Sequence, residues 1–437
     1  MNRMARLLLY RGEKVERQNM IWNMIGSFCY AFASMVLSFL VMRLVGEEQG
    51  GIFSFGYSTL GQQLFIVAYF GIRPFQITDG KGEYSFGDYL RHRKLTCLLA
   101  LAGGGSYLTL LAALGRYSPE KAVILVLLVF YKVADGYADV YESEFQRQGS
   151  LYLTGKSNCF RTILSVSVFT LFLAMGGELL SACLAAAGAQ VGGFLLFNRS
   201  VAKALPGMNW KRGNGQTRRL FSETGLLFVS VFLDFYVFSA AKYAIDSRMT
   251  DSASGYFNLI FMPTSVIYLV ANFVIRPFLT RLTVLWNGRR FSDFLRQLAR
   301  IGLIILGLTV LAVGLTALLG VWVLGIMEGI LGPGYEGSLT IYSGAFTAIV
   351  LGGGFYAMAN LMYYALVIMR RQKAIFCVYC FGAAAAFVLS GWMVGRWKIM
   401  GAALCYLVLM LFLTAGFGVC TWIFYRREKG EHCGNER

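Results

Sequence analysis

The sequence predicts an all-α integral membrane protein of about twelve transmembrane helices, arranged as two pseudo-symmetric six-helix bundles. Three observations predict it: the apolar composition, the alternation of charge between successive connections, and an internal repeat. Hydrophobic residues make up 57% of the 437 residues and charged residues only 14%. A spanning helix takes about 20 apolar residues, so this composition fills roughly twelve of them. It excludes a water-soluble domain, a disordered chain and a single-anchor protein. Fifty Gly against six Pro fit closely packed membrane helices.

Twelve apolar segments lie near 20–44, 51–71, 96–114, 121–141, 159–176, 179–197, 224–242, 254–275, 301–325, 339–366, 374–394 and 401–424. The first is long and follows a basic stretch, so it reads as a retained span rather than a cleaved leader. The connections alternate between basic and nearly uncharged. Thirty-two Lys and Arg fall on one side and seven on the other, with Lys132 left inside a span. The basic side is expected to be cytoplasmic and to hold both termini. The net charge of +17 is then a membrane-topology signal that meets anionic headgroups, not a nucleic-acid footprint. The expected organisation is a six-helix bundle over 1–197, a basic cytoplasmic linker over 198–223, a second bundle over 224–424 and a cytoplasmic tail over 425–437.

The repeat relates the two halves. Residues 67–75 read VAYFGIRPF and residues 270–278 read VANFVIRPF, identical at seven of nine positions. FGDYLR (86–91) then matches FSDFLR (291–296), and FYKVAD (130–135) matches FYAMAN (355–360). Each half holds an even number of spans, so both enter from the same side and the repeat is parallel. Such repeats are characteristic of secondary transporters.

Polar groups inside the spans are the candidates for function, because hydrocarbon cannot satisfy them. Lys132, Asp135, Asp139, Glu142 and Gln146 recur at three- and four-residue steps and share one helix face. They are expected to line a water-filled path. The competing expectation is self-neutralisation, with Lys132 paired to Asp135. Gln62, Tyr69 and Arg73 correspond in the repeat to Ser265, Asn272 and Arg276, with Asn258 earlier on the second stripe. Each stripe ends at Arg-Pro, where Pro is expected to break the helix. The two guanidinium groups are expected at the cytoplasmic mouth, placed to receive a phosphate or pyrophosphate. Gln62, Tyr131, Tyr356 and Asn360 are candidates for polar and aromatic contacts with a transported substrate. Arg43 and Lys242 either extend an anion path or snorkel to headgroups. Asp135, Asp139 and Asp234 are candidates for binding a coupling proton or sodium ion. Pro263 is expected to kink its span. Gly188-x-x-x-Gly192 and the triple glycines at 103–105 and 352–354 are expected to allow close helix packing.

Enzyme chemistry finds little support. Gly155-Lys156-Ser157 resembles the end of a P-loop, but the Gly that should precede it is Ser150 and no strand leads in. No metalloprotease, nucleophile-elbow, calcium-loop or dinucleotide motif is present. The only two histidines, His92 and His432, fall in expected cytoplasmic segments. Cys377 and Cys380 form a CxxC within an apolar run, which reads as two small buried hydrophobes rather than a metal site. No cofactor or metal is expected. Short outer connections leave no room for the catalytic platform of a polysaccharide polymerase or ligase.

Together the two six-span halves, the basic central loop and the lack of a nucleotide motif resemble the MOP exporter superfamily. The details resemble its Wzx-type polysaccharide flippase branch. They are the Arg43-Leu-Val-Gly46 close of the first span, Gly51-Ile-Phe53, Glu144-Phe-Gln-Arg-Gln-Gly149 followed by Arg161, and Leu331-Gly-Pro-Gly-Tyr335. The resemblance implies a MATE/MOP-like fold in a bacterial cytoplasmic membrane. It implies a polyprenyl-pyrophosphate-linked oligosaccharide as substrate, with other polysaccharide-assembly membrane proteins as partners. A MATE-type exporter of cationic drugs is the alternative within the superfamily.

Overall fold

The computed structural model describes residues 7–10, 12–79, 83–211 and 216–435, apart from the side chains of Thr78, Phe273, Arg276, Thr280 and residues 431–435. The described residues are almost entirely helical and contain no strand. Nine helical stretches among them are long and apolar enough to cross a membrane. Two of these, Val15–Ile77 and Gln372–Gly430, run to 63 and 59 residues, far beyond the roughly 20 needed for one crossing. Each is interrupted. Gly46 takes φ +85° within α1 (Val15–Phe55), and Lys398 takes φ +51° within α13 (Gln372–Asn435). The residues expected as a tail continue this last helix. The fold is thus an all-α integral membrane fold.

The chain divides into two compact units, Met1–Phe232 and Leu233–Arg437. The division falls inside one helix, α8 (Gln216–Arg248), rather than within the basic segment 198–223.

In the first unit α1 is followed by a π-helical turn at Gly56–Leu60, then α2 (Gly61–Tyr69) and α3 (Ile72–Thr78). Next come α4 (Phe86–Ala113), α5 (Pro119–Arg147), α6 (Leu151–Ala174) and α7 (Leu179–Gly193). Two starts follow helix-capping chemistry. Ser85 and Asp88 form a reciprocal capping box on α4, and Ser118 caps α5 with Pro119 in its first turn. Helix α1 packs on α6 at a glycine pair: a Cβ on Gly26 would sit 2.6 Å from the Gly155 carbonyl oxygen. Gly188 and Gly192, expected to make such an approach, would have nothing within 4 Å of an added Cβ. The packing lies on other helix faces.

In the second unit α8 leads to α9 (Asp251–Phe261), α10 (Pro263–Asn287), α11 (Phe291–Leu331) and α12 (Ser343–Ile368), then α13. The break before α10 falls at Met262, with Pro263 opening the next helix, where its missing N–H costs nothing. The glycines at 352–354 do pack closely, against Tyr406, Ile267 and Thr309.

The two Arg-Pro motifs do not end their helices as expected. In the first unit the break comes earlier, at Phe70 (φ +53°) and Gly71 (φ +66°). Arg73 and Pro74 lie in the first turn of α3. In the second unit Val274 stands where Gly71 stands, and α10 continues through Pro277. Glycine enters the left-handed region freely, whereas a β-branched residue resists it.

Candidate functional site

Helix α5 is too charged to pass as an ordinary apolar span, and most of its charges are buried. Among its polar residues Lys132, Asp135, Asp139, Glu142 and Glu144 are all less than a tenth exposed. The acids among them are met by basic and amide side chains, most of them from neighbouring helices.

Asp139 sits between two arginines. Arg73 Nη1 donates to Oδ1 at 2.5 Å and Arg93 Nη2 to Oδ2 at 3.0 Å. Arg73 also donates to Gln146 Oε1 at 3.0 Å. Arg93 spends its other terminal nitrogen on the Ala68 carbonyl at 2.9 Å, and Thr96 donates to the same oxygen at 2.7 Å. The break at Phe70–Gly71 removes the helical partner of that carbonyl, and α4 supplies two donors in its place.

One to two turns away, Arg161 from α6 bridges Asp135 and Glu142, at 2.5 and 2.7 Å. Asn198 joins this set, accepting from Arg161 at 2.9 Å and donating to Glu142 at 3.1 Å. Gln190 Nε2 reaches Asp135 at 3.4 Å. Such charges are tolerable in a bundle interior only when opposite charge and further hydrogen bonds accompany them, and here both do.

Lys132 is the exception. Its ammonium donates to the Tyr30 hydroxyl at 3.0 Å and stands 3.6 Å from the ring centroid of Tyr57. Among the described residues no carboxylate lies within ion-pair distance of it. Gly61 makes room for its stem, since a Cβ there would sit 2.9 Å from Lys132 Cγ. The expected pairing of Lys132 with Asp135 does not form, because Arg161 already holds Asp135. Tyr57 and Tyr131 also line a small cleft with Ser165, Phe53 and Phe169. Tyr131 and Ser165 share a hydrogen bond of 2.8 Å.

The structure therefore brings Arg73 and Asp139 together and places Lys132 beside Tyr131 and Tyr57. Arg73 is not a free guanidinium waiting at a helix end. Gln62 is half-buried, while its neighbour Gln63 donates to the Phe232 carbonyl at 3.1 Å. Arg43 is exposed.

In the second unit Asp234 Oδ2 accepts from the Tyr356 hydroxyl at 3.1 Å, with no cation in ion-pair contact among the described residues. Lys242 turns inward, donating to Asn258 at 3.0 Å and lying 4.5 Å from the ring centre of Phe261. It does not snorkel, because a buried amide oxygen and a ring face are within reach. Asn272 is buried and donates to the Tyr268 carbonyl on its own helix at 2.9 Å. Asn360 is half-buried, and its amide nitrogen has no partner among the described residues. The side chain of Arg276 lies outside the described residues.

Arg93 and Arg161 are the functional candidates that sequence reasoning missed. Both counted as charges of basic cytoplasmic loops, yet they are 0% and 1% exposed. His92 likewise leaves its expected solvated segment and is fully buried beside Phe70 and Phe221. The available signal was the fit between an acidic span face and basic residues one helix away. Sequence distance hides that fit.

No family model matches the chain. No curated protein matches its sequence. Solved structures do match in fold. An inward-facing multidrug resistance MATE family transporter of the MOP superfamily superposes with a TM-score of 0.70 at 9% identity, over 92% of this chain and 95% of its own. The lipid II flippase MurJ, in an inward closed conformation, gives 0.67 at 13% identity, over 94% and 90%. A MOP superfamily transporter from Pyrococcus furiosus, described as having a binding pocket of reversed polarity, gives 0.56 at 12% identity, over 98% of each chain. Across nearly its whole length, then, the chain has the MATE/MOP transporter fold.

Proposed function

We propose that the protein is a flippase of a bacterial cytoplasmic membrane. It carries a polyprenyl-pyrophosphate-linked oligosaccharide from the inner to the outer leaflet, for capsule, O-antigen or exopolysaccharide assembly. Two six-span halves alternate access to the substrate, and both termini are cytoplasmic. The observation that supports this reading is Lys132. A buried ammonium held, among the described residues, by a phenol and an aromatic face, while Asp135, Asp139 and Glu142 of its own helix are taken by arginines, favours an anionic visitor over a cationic one. A pyrophosphate headgroup cannot cross hydrocarbon unaided, and a fixed cation lowers that cost. A lipid-linked substrate also accords with one fold neighbour, MurJ, a flippase of lipid II.

Of the three carboxylates considered for ion coupling, Asp234 fits best. Asp135 and Asp139 are already neutralised by arginines. Asp234 has a tyrosine hydroxyl and, among the described residues, no cation. The same residue is what favours the second reading, export of a cationic compound, since an interior carboxylate without a cation attracts positive charge.

Reconstitution in liposomes separates the two. Transfer of a fluorescent polyprenyl-pyrophosphate sugar between leaflets, lost in Lys132→Met, is the expected result. Export of cationic dyes with no lipid transfer, sensitive to Asp234→Asn but not to Lys132→Met, decides for the second reading.

A further inference from the structure

At the end of the second unit away from the connections 287–290 and 369–371, an arginine of one helix lies against the stretch of another that carries two more cations. Arg248 closes α8, and Arg396 and Lys398 stand at the interruption of α13. The Arg248 guanidinium lies over Gly391 and Gly395. A Cβ on either glycine would approach it to 3.1 or 3.2 Å, so the glycines form a shallow seat for it. Arg248, Arg396 and Lys398 are all exposed. Among the described residues no carboxylate is within ion-pair distance of any of them. Beside them Trp392 and Trp397 meet edge to face, with ring centroids 5.5 Å apart, and are 58% and 44% exposed.

Unpaired cations next to exposed tryptophans at the ends of spanning helices have the chemistry of the membrane interface. Indole rings settle at headgroup depth, and cations there attract anionic headgroups. Exposed cations on adjoining helices, with no carboxylate in ion-pair distance among the described residues, make a local positive field that attracts an anion. We propose that this cluster binds the phosphate of an anionic phospholipid, with the two indoles packed on its glycerol and upper acyl chain. The site belongs to the second unit alone and does not depend on what the protein transports. It also accounts for a local excess of basic residues on the side that otherwise has few.

Tryptophan quenching tests it. Full-length protein in neutral detergent is titrated with brominated phosphatidylglycerol or brominated phosphatidylcholine. Subtracting the signal of Trp392→Phe/Trp397→Phe isolates the two indoles. The expected result is half-quenching by phosphatidylglycerol at a concentration at least about tenfold below that of phosphatidylcholine. Arg248→Gln/Arg396→Gln/Lys398→Gln should abolish the difference while leaving the phosphatidylcholine titration unchanged. High salt should abolish it in the unaltered protein, which keeps the test valid if the triple variant misfolds. Equal titration by the two lipids, or a preference that survives both the triple substitution and salt, overturns the proposal. Relief of quenching by equimolar inorganic phosphate assigns the site to a soluble anion and overturns the lipid as its ligand.

Discussion

Lys132 and Asp135 lie one turn apart on the same helix face and do not pair. Asp135 is bound by Arg161, and Lys132 is turned toward Tyr30 and Tyr57. The result is a layered helix. Asp135, Asp139 and Glu142 are neutralised by arginines from adjacent helices, and Lys132 has no counter-charge among the described residues.

That arrangement predicts a separation of stability from function at Lys132. Lys132→Met removes a desolvated cation that has no carboxylate partner, so the melting temperature in detergent should stay level or rise. Leaflet transfer of an anionic lipid-linked sugar should fall by an order of magnitude or more. A normal transfer rate would take Lys132 out of the substrate path.

Arg161 predicts the reverse. Arg161→Met leaves Asp135 and Glu142 buried together without a cation and should cost about 3–5 kcal/mol. A steep loss of melting temperature is the readout. Adding Asp135→Asn and Glu142→Gln should recover much of it, because the repelling charges are then gone. No recovery would mean that Arg161 acts through packing alone.

Gly71 predicts a local conformational cost. Its φ of +66° is in the left-handed region, and the nearest side-chain atoms, on Leu227, would lie 3.5 Å from an added Cβ. Space is therefore not the constraint. Gly71→Val should cost roughly 1–2 kcal/mol or more through backbone strain. It should also loosen the Phe70–Phe228 stack, whose centroids are 4.0 Å apart. Val274→Gly, at the corresponding place in a continuous helix, should cost only about 1 kcal/mol. Equal costs at the two positions would show that the break is not set by this residue.

Glu328 predicts a loop held by one carboxylate. It is buried and accepts from the backbone N–H groups of Gly337, Leu339 and Thr340, at 3.1, 2.6 and 2.7 Å. Glu328→Ala orphans these donors and should cost about 1–3 kcal/mol. Protease cleavage within 332–342 should become faster while the helices stay protected. Unchanged cleavage would show that the loop is ordered by other contacts.

The elements of this fold are largely legible in the sequence, and so is the acidic face of α5. A charge inside a long apolar run stands out wherever it occurs. Its partners do not stand out. Arg93 and Arg161 lie in basic runs that look like cytoplasmic connections, and only packing carries them inward. In the Arg-Pro motifs the proline draws the eye, while the backbone obeys Gly71 and Val274. At Pro74 the reason is that proline in a helix's first turn demands nothing, whereas positive φ demands glycine or strain; Pro277 lies inside α10, which runs on through it.

Helicity and membrane residence were determined by sequence alone, because both sum over some twenty consecutive residues and need no distant neighbour. Which charges are neutralised, and that Lys132 is not among them, was decided only by the tertiary structure. An ion pair depends on a few ångströms between residues tens of positions apart, and that distance exists only once the helices have packed.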